Sequence, residues 1–168
     1  MKKILIAIVV WFALPVFGNA QEINWMTFQE AVKLNETAPK KIFIDVFTDW
    51  CGWCRKMDHT TFKDPEVVAY MNENYYAVKF NAEMTDTIVF GGYSYVNEGG
   101  NPIRKGTHQL AKALLQGKMS YPSYVFMNER NHPITVAPGY MEAKDFLPVL
   151  QYIGSDAYLK QSFKDYIK

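Results

Sequence analysis

Thr48-Asp49-Trp50-Cys51-Gly52-Trp53-Cys54-Arg55-Lys56-Met57 is the stretch on which the reading of this chain turns. Cys51 and Cys54 are the only cysteines in 168 residues, and they form a single C-x-x-C. Just upstream, Lys41-Ile42-Phe43-Ile44-Asp45-Val46-Phe47 is apolar and β-rich, the composition of a buried strand. Downstream the sequence turns helical. A C-x-x-C that follows a strand and opens a helix puts its first sulfur at the positive end of the helix dipole. Backbone N–H groups there favour the thiolate. The second sulfur, one turn further on, is within disulfide reach. Spacing and context predict a redox site, with Cys51 as nucleophile and Cys54 resolving the mixed disulfide.

Two other uses of a cysteine pair compete with this one. Zinc takes about four ligands, and one C-x-x-C supplies two. His59, His108 and His132 show no ligand spacing, so no metal site is expected, although soft copper could be held by the two sulfurs alone. A purely structural disulfide is the other alternative. A bridge this short closes almost no loop and adds little by chain entropy, which favours chemistry.

Residues 1–20 read as a signal peptide. Met1-Lys2-Lys3 is a basic start, Ile4 to Phe17 is apolar, and Gly18-Asn19-Ala20 supplies small residues for cleavage before Gln21. A membrane anchor is the competing reading, but the apolar run is short of the roughly 20 residues a span needs. No cysteine follows it, so no lipoprotein is expected. Export implies a periplasmic or secreted protein in an oxidising compartment. Loss of Lys2 and Lys3 takes the formal net charge from +1 to −1. Without a basic excess there is no case for nucleic acid or an anionic membrane surface as a partner.

Residues 21–168 have the length of one domain. Thr27-Phe28-Gln29-Glu30 forms a capping box, with Met26 and Ala31 set for a hydrophobic staple, and predicts a helix to about Asn35. A strand over 42–47 precedes the active-site helix, which runs from about Cys51 to His59. Asp64-Pro65-Glu66 opens a helix to about Asn74, and Tyr76 to Asn81 is the next strand. Gly91-Gly92, between two β-rich runs over 87–96, signals a hairpin, and residues 84–106 read as an insertion. Thr107 is placed to cap a helix over 108–116. Ser123 to Met127 and Pro133 to Ala137 predict an antiparallel strand pair, and Lys144 to Ile153 a helix despite Pro148. The tail, 155–168, has Tyr158, Leu159, Phe163 and Ile167 at helical spacing and predicts one further helix.

Asp45 stands six residues before Cys51 in the middle of an apolar strand. A carboxyl buried there has a raised pKa. The alternative is a strand-end acid facing solvent. Trp50 and Trp53 flank the motif at a loop-to-helix junction and suit an apolar collar for a protein substrate better than a core position.

Asp45 to Met57 resembles the active-site segment of the thioredoxin superfamily, and is most similar to secreted bacterial thioredoxin-like proteins with a W-C-G-W-C motif. The resemblance spans most of residues 40–153, apart from the hairpin. It implies an α/β thioredoxin fold: a central mixed sheet flanked by helices, with a β-hairpin inserted before the helix that leads to the cis-proline. By that resemblance Asp45 moves the proton of Cys54, and Lys79 is the lysine paired with the acid. Pro122 matches the family's cis-proline, and Tyr121 before it takes the place whose backbone pairs with an extended substrate. Gly52, within the motif, and Gly139, across the cleft, complete the substrate-binding set. An ordinary turn glycine is the alternative for Gly139. The implied function is a thiol–disulfide oxidoreductase acting on protein substrates, expected to be a monomeric reductase. It needs no cofactor beyond the Cys51–Cys54 disulfide, and a membrane thiol carrier would supply electrons. A binding module that holds a client protein or a copper ion is the runner-up.

Overall fold

The computed structural model describes residues 22–99 and 106–168. The proposed signal peptide and part of the insertion lie outside them. Five strands form the main sheet: β1 (Trp25–Met26), β2 (Lys41–Phe47), β3 (Tyr75–Asn81), β6 (Ser123–Met127) and β7 (Pro133–Pro138). Their order is β1-β3-β2-β6-β7. The first three run parallel, while β6 and β7 are antiparallel to their neighbours. A separate two-stranded sheet, β4 (Ile88–Phe90) with β5 (Tyr93–Tyr95), is the predicted hairpin. Gly91 and Gly92 both have positive φ there, the conformation a tight two-residue turn requires.

β2 is the central strand, and helices cover both its faces, so its sequence is almost continuously apolar. Ile42, Ile44 and Val46 point into one core with Phe28 and Ala31 of α1 (Phe28–Thr37) and Leu110 and Leu114 of α4 (Gln109–Leu114). Phe43 points into the other. It meets Val67 and Met71 of α3 (Pro65–Asn74) and Phe146 and Leu150 of α5 (Ala143–Gly154). Asp45 shares this second face by strand alternation.

Local signals act as the sequence predicts at several ends. Both halves of the Thr27–Glu30 capping box form, and Asp64 accepts from the backbone of Glu66 and Val67 ahead of Pro65. Two expectations need correction. The cap of α4 is His108, whose Nδ1 accepts from the Leu110 backbone N–H while Nε2 donates to the Asp86 carbonyl. Thr107 does not cap it. The tail is not one helix. Asp156 turns left-handed at φ 59° and sends its carboxylate to the buried Lys41 ammonium, 2.9 Å away. A short 3₁₀ turn (Ala157–Leu159) follows, and Ser162 caps a separate α6 (Phe163–Tyr166). Tyr158 packs on the core, but Leu159 and Ile167 face solvent, so the helical spacing was coincidental.

Candidate active site

The end of β2 delivers the chain to α2 (Gly52–His59) through Thr48, whose carbonyl accepts from the Cys51 N–H at 3.1 Å. Cys51 is the N-cap, and its sulfur accepts a hydrogen bond from the Cys54 backbone N–H at 3.1 Å. Cys51 and Cys54 are joined as a disulfide. A thiolate released at Cys51 would keep that donor and the field of the helix end.

Asp45 is 1% exposed. Burial pushes its carboxyl up to about 6, against the opposing pull of Lys79. Lys79, its register partner on β3, places Nζ 2.6 Å from Asp45 Oδ2. The same ammonium binds Asp58 of α2, one turn beyond Cys54. Trp25, Phe47 and Phe62 present their rings to it at 4.9–5.2 Å. Lys79 thus ties β2, β3 and α2 together. Asp58 and Trp25 were missed by the sequence reading. Asp58 had a usable signal, its i,i+4 spacing from Cys54, which puts both on one helix face. Trp25 had none, because its contact depends on β1 joining the sheet.

The Tyr121–Pro122 peptide is cis. Pro122 accepts from the Gly139 N–H through its carbonyl at 2.8 Å, which brings the predicted proline and glycine side by side. Gly139 has φ 95°, so a side chain there would be strained even though the space beside it is open. Gly52 is exposed, and the space beside it is likewise uncrowded.

Trp50 and Trp53 are 64% and 57% exposed, so neither is a core residue. Trp50 stands edge-on to Tyr121 at 5.8 Å and donates its indole N–H to Glu83 at 3.0 Å. Trp53 meets Tyr140 at 5.2 Å, and Lys56 lies over both rings. Glu83 and Tyr140 were not found from sequence, since each belongs to a distant segment. The arrangement offers a disulfide at a helix N-terminus, a buried acid able to exchange a proton near neutrality, and an apolar rim. Among the described residues no group of three or more histidine, cysteine or acidic side chains is placed to hold a metal ion.

The profile of the thioredoxin-like domain family matches residues 28–154. The chain belongs to that family. This thioredoxin-like domain is 24% identical over 134 residues to the thiol:disulfide interchange protein DsbD of Vibrio vulnificus strain CMCP6, covering 79% of the chain and 19% of the relative. It therefore spans only a small part of that curated relative. Among solved structures, it resembles a thioredoxin-fold protein from Helicobacter pylori with a TM-score of 0.59 at 21% identity, over 90% of this chain and 89% of the other. It also resembles a DsbH oxidoreductase with a TM-score of 0.58 at 16% identity, over 89% and 94%. At such identities these two structures speak for the fold. The fold expected from the sequence, a mixed sheet flanked by helices, is the fold observed.

Proposed function

We propose that this protein is a periplasmic thiol–disulfide oxidoreductase that reduces disulfides in protein substrates. The observation that carries the reading is the Cys51–Cys54 disulfide at the N-terminus of α2, with the Cys54 N–H on the Cys51 sulfur. In the reduced enzyme the Cys51 thiolate attacks a substrate disulfide. One substrate sulfur leaves as a thiolate, and Cys51 holds the other in a mixed disulfide. Cys54 gives its proton to the Asp45 carboxylate and attacks Cys51, which re-forms the enzyme disulfide and releases the second substrate thiolate. An acid that ionises at about 6 is matched to that transfer near neutral pH. Lys79 holds the acid in place. Trp50, Trp53 and Gly52 would face the substrate on one side of the sulfurs, and Tyr121, Pro122 and Gly139 on the other.

Each turnover moves two electrons to the substrate, so a donor must reduce Cys51–Cys54 again. A membrane dithiol carrier is the class of partner this compartment requires. The basic, apolar and small-residue run of residues 1–20 supports export, and the name of the curated Vibrio relative supports thiol–disulfide interchange.

The test is the reduction potential of the Cys51–Cys54 pair, measured by equilibration with glutathione or dithiothreitol, alongside insulin reduction by the parent and Cys51→Ser. A potential near about −270 mV with activity lost in Cys51→Ser is expected. A value near about −120 mV would reverse the direction proposed. If no reversible couple forms, the enzymatic reading falls and client or copper binding takes its place.

A further inference from the structure

Asp45 and Tyr124 are direct partners in the antiparallel β2–β6 register, so both side chains stand on the face of the sheet packed by α3 and α5. Each carries a buried polar atom with no hydrogen-bond partner, Oδ1 of Asp45 and the hydroxyl of Tyr124. The Tyr124 ring is fixed by stacking on Phe43 at 5.7 Å, with Phe62 at 6.1 Å and Phe146 at 5.2 Å around it. The residue is 0% exposed, so its hydroxyl cannot turn to solvent. Phenylalanine would fill the same aromatic core without burying an unpaired hydroxyl, which is costly. The hydroxyl therefore needs a reason beyond packing.

The charged and titratable groups around Asp45 come from three elements besides its own. Lys79 of β3 occupies Oδ2, Asp58 of α2 shares that ammonium, and Tyr124 of β6 stands opposite. The Thr48 hydroxyl, just past the end of β2, is the other buried side-chain donor without a partner among the described residues, but it is not in register with the acid. Tyr124 is thus a neutral donor in register with the unused Oδ1. Burial, and then the carboxylates of Asp45 and Asp58, push its phenol far above the usual tyrosine range, so it remains protonated at any working pH. The two orphaned atoms do not bond each other directly, and a buried water commonly bridges such groups.

We propose that Tyr124 is a positioning residue for Asp45, its hydroxyl donating through one buried water to Asp45 Oδ1 and so setting the pH at which the acid ionises. A donor to a carboxylate favours the charged form. Tyr124 thereby offsets part of the effect of burial and keeps Asp45 ionised at neutral pH, ready for the Cys54 proton. That consequence rests on the proposed thiol–disulfide activity, whereas the effect on Asp45 itself does not.

The experiment is a ¹³C NMR titration of the Asp45 carboxyl in the oxidised full chain, parent against Tyr124→Phe. The midpoint should rise, by about a three- to tenfold fall in the ionisation constant. An unchanged or lowered midpoint overturns the inference, because the ring packing is the same in both proteins. The acidic limb of the pH profile for insulin reduction should rise with it, and Tyr124→Phe should have no such effect in an Asp45→Asn background. An effect that persists there overturns the route through Asp45. If Tyr124→Phe does not fold, a high-resolution crystal structure of the parent decides. One water within hydrogen-bond distance of both atoms is expected, and a Tyr124 hydroxyl bonded elsewhere overturns the inference. A shifted Asp45 midpoint in a protein that fails to reduce insulin would sink the proposed activity and leave the role of Tyr124 standing.

Discussion

A carboxyl group held at 1% exposure beside a lysine carries a folding cost that depends on pH, and Asp45 is such a group. Below about pH 4 it is protonated in both the folded and the unfolded chain and contributes no difference. Between about pH 4 and 6 the unfolded chain releases the proton while the folded one keeps it, so stability falls as pH rises. Above its folded value of about 6 the loss is complete, and the displacement from 3.8 corresponds to about 3 kcal/mol. Asp45→Asn in the oxidised protein should therefore be about 1–3 kcal/mol more stable than the parent in urea at pH 8, the lower end reflecting the partner that Lys79 loses. The difference should close at pH 3.5. An equal difference at both pH values would mean that burial of the charge is not the cause. Asp45 was legible in the sequence because a lone acid in an apolar strand is conspicuous. Tyr124 was not, since a tyrosine in a strand looks like any other aromatic core residue until its hydroxyl is found unpaired.

Elements were legible where their own residues close their ends. The capping box of α1, the Asp64-Pro65 start of α3 and the Gly91-Gly92 turn all act within a few residues of the chain. α4 fails that condition, because its cap is a wholly buried histidine whose second nitrogen reaches Asp86 in the insertion. Histidine is not among the favoured N-cap residues, so the sequence pointed to the neighbouring threonine. Loss of the cap bond costs about 1 kcal/mol, and loss of the Asp86 bond about as much again. His108→Asn, which can keep the cap, should lose about half as much stability in urea as His108→Ala. Equal losses would show that the cap bond contributes nothing. The tail misled for the same kind of reason. Its apolar residues repeat helically, but Asp156 turns left-handed and pairs with the distant Lys41, and no single helix follows.

For the whole molecule, the hairpin is the main surprise, since the insertion read from sequence is built into the first core. Ile88 is 0% exposed within it, and Phe90 packs edge-on against Phe28 at 5.0 Å. Val89, one residue on, is 68% exposed. Ile88→Ala should lower stability in urea by about 2–4 kcal/mol, and Val89→Ala by less than about 0.5 kcal/mol. A loss at Ile88 no larger than that at Val89 would show that the hairpin is a detachable appendage. The sequence by itself determined the cysteine pair at the start of a helix, the lone acid six residues before it in an apolar strand, and most helix starts. Each of these depends on neighbours within about one turn or one strand. The tertiary structure alone decided that Lys79 joins Asp45 to Asp58, that Trp50 meets Tyr121 and Glu83, and that Tyr124 stands opposite the acid. These contacts join segments far apart in the chain, and only strand order and register bring them together.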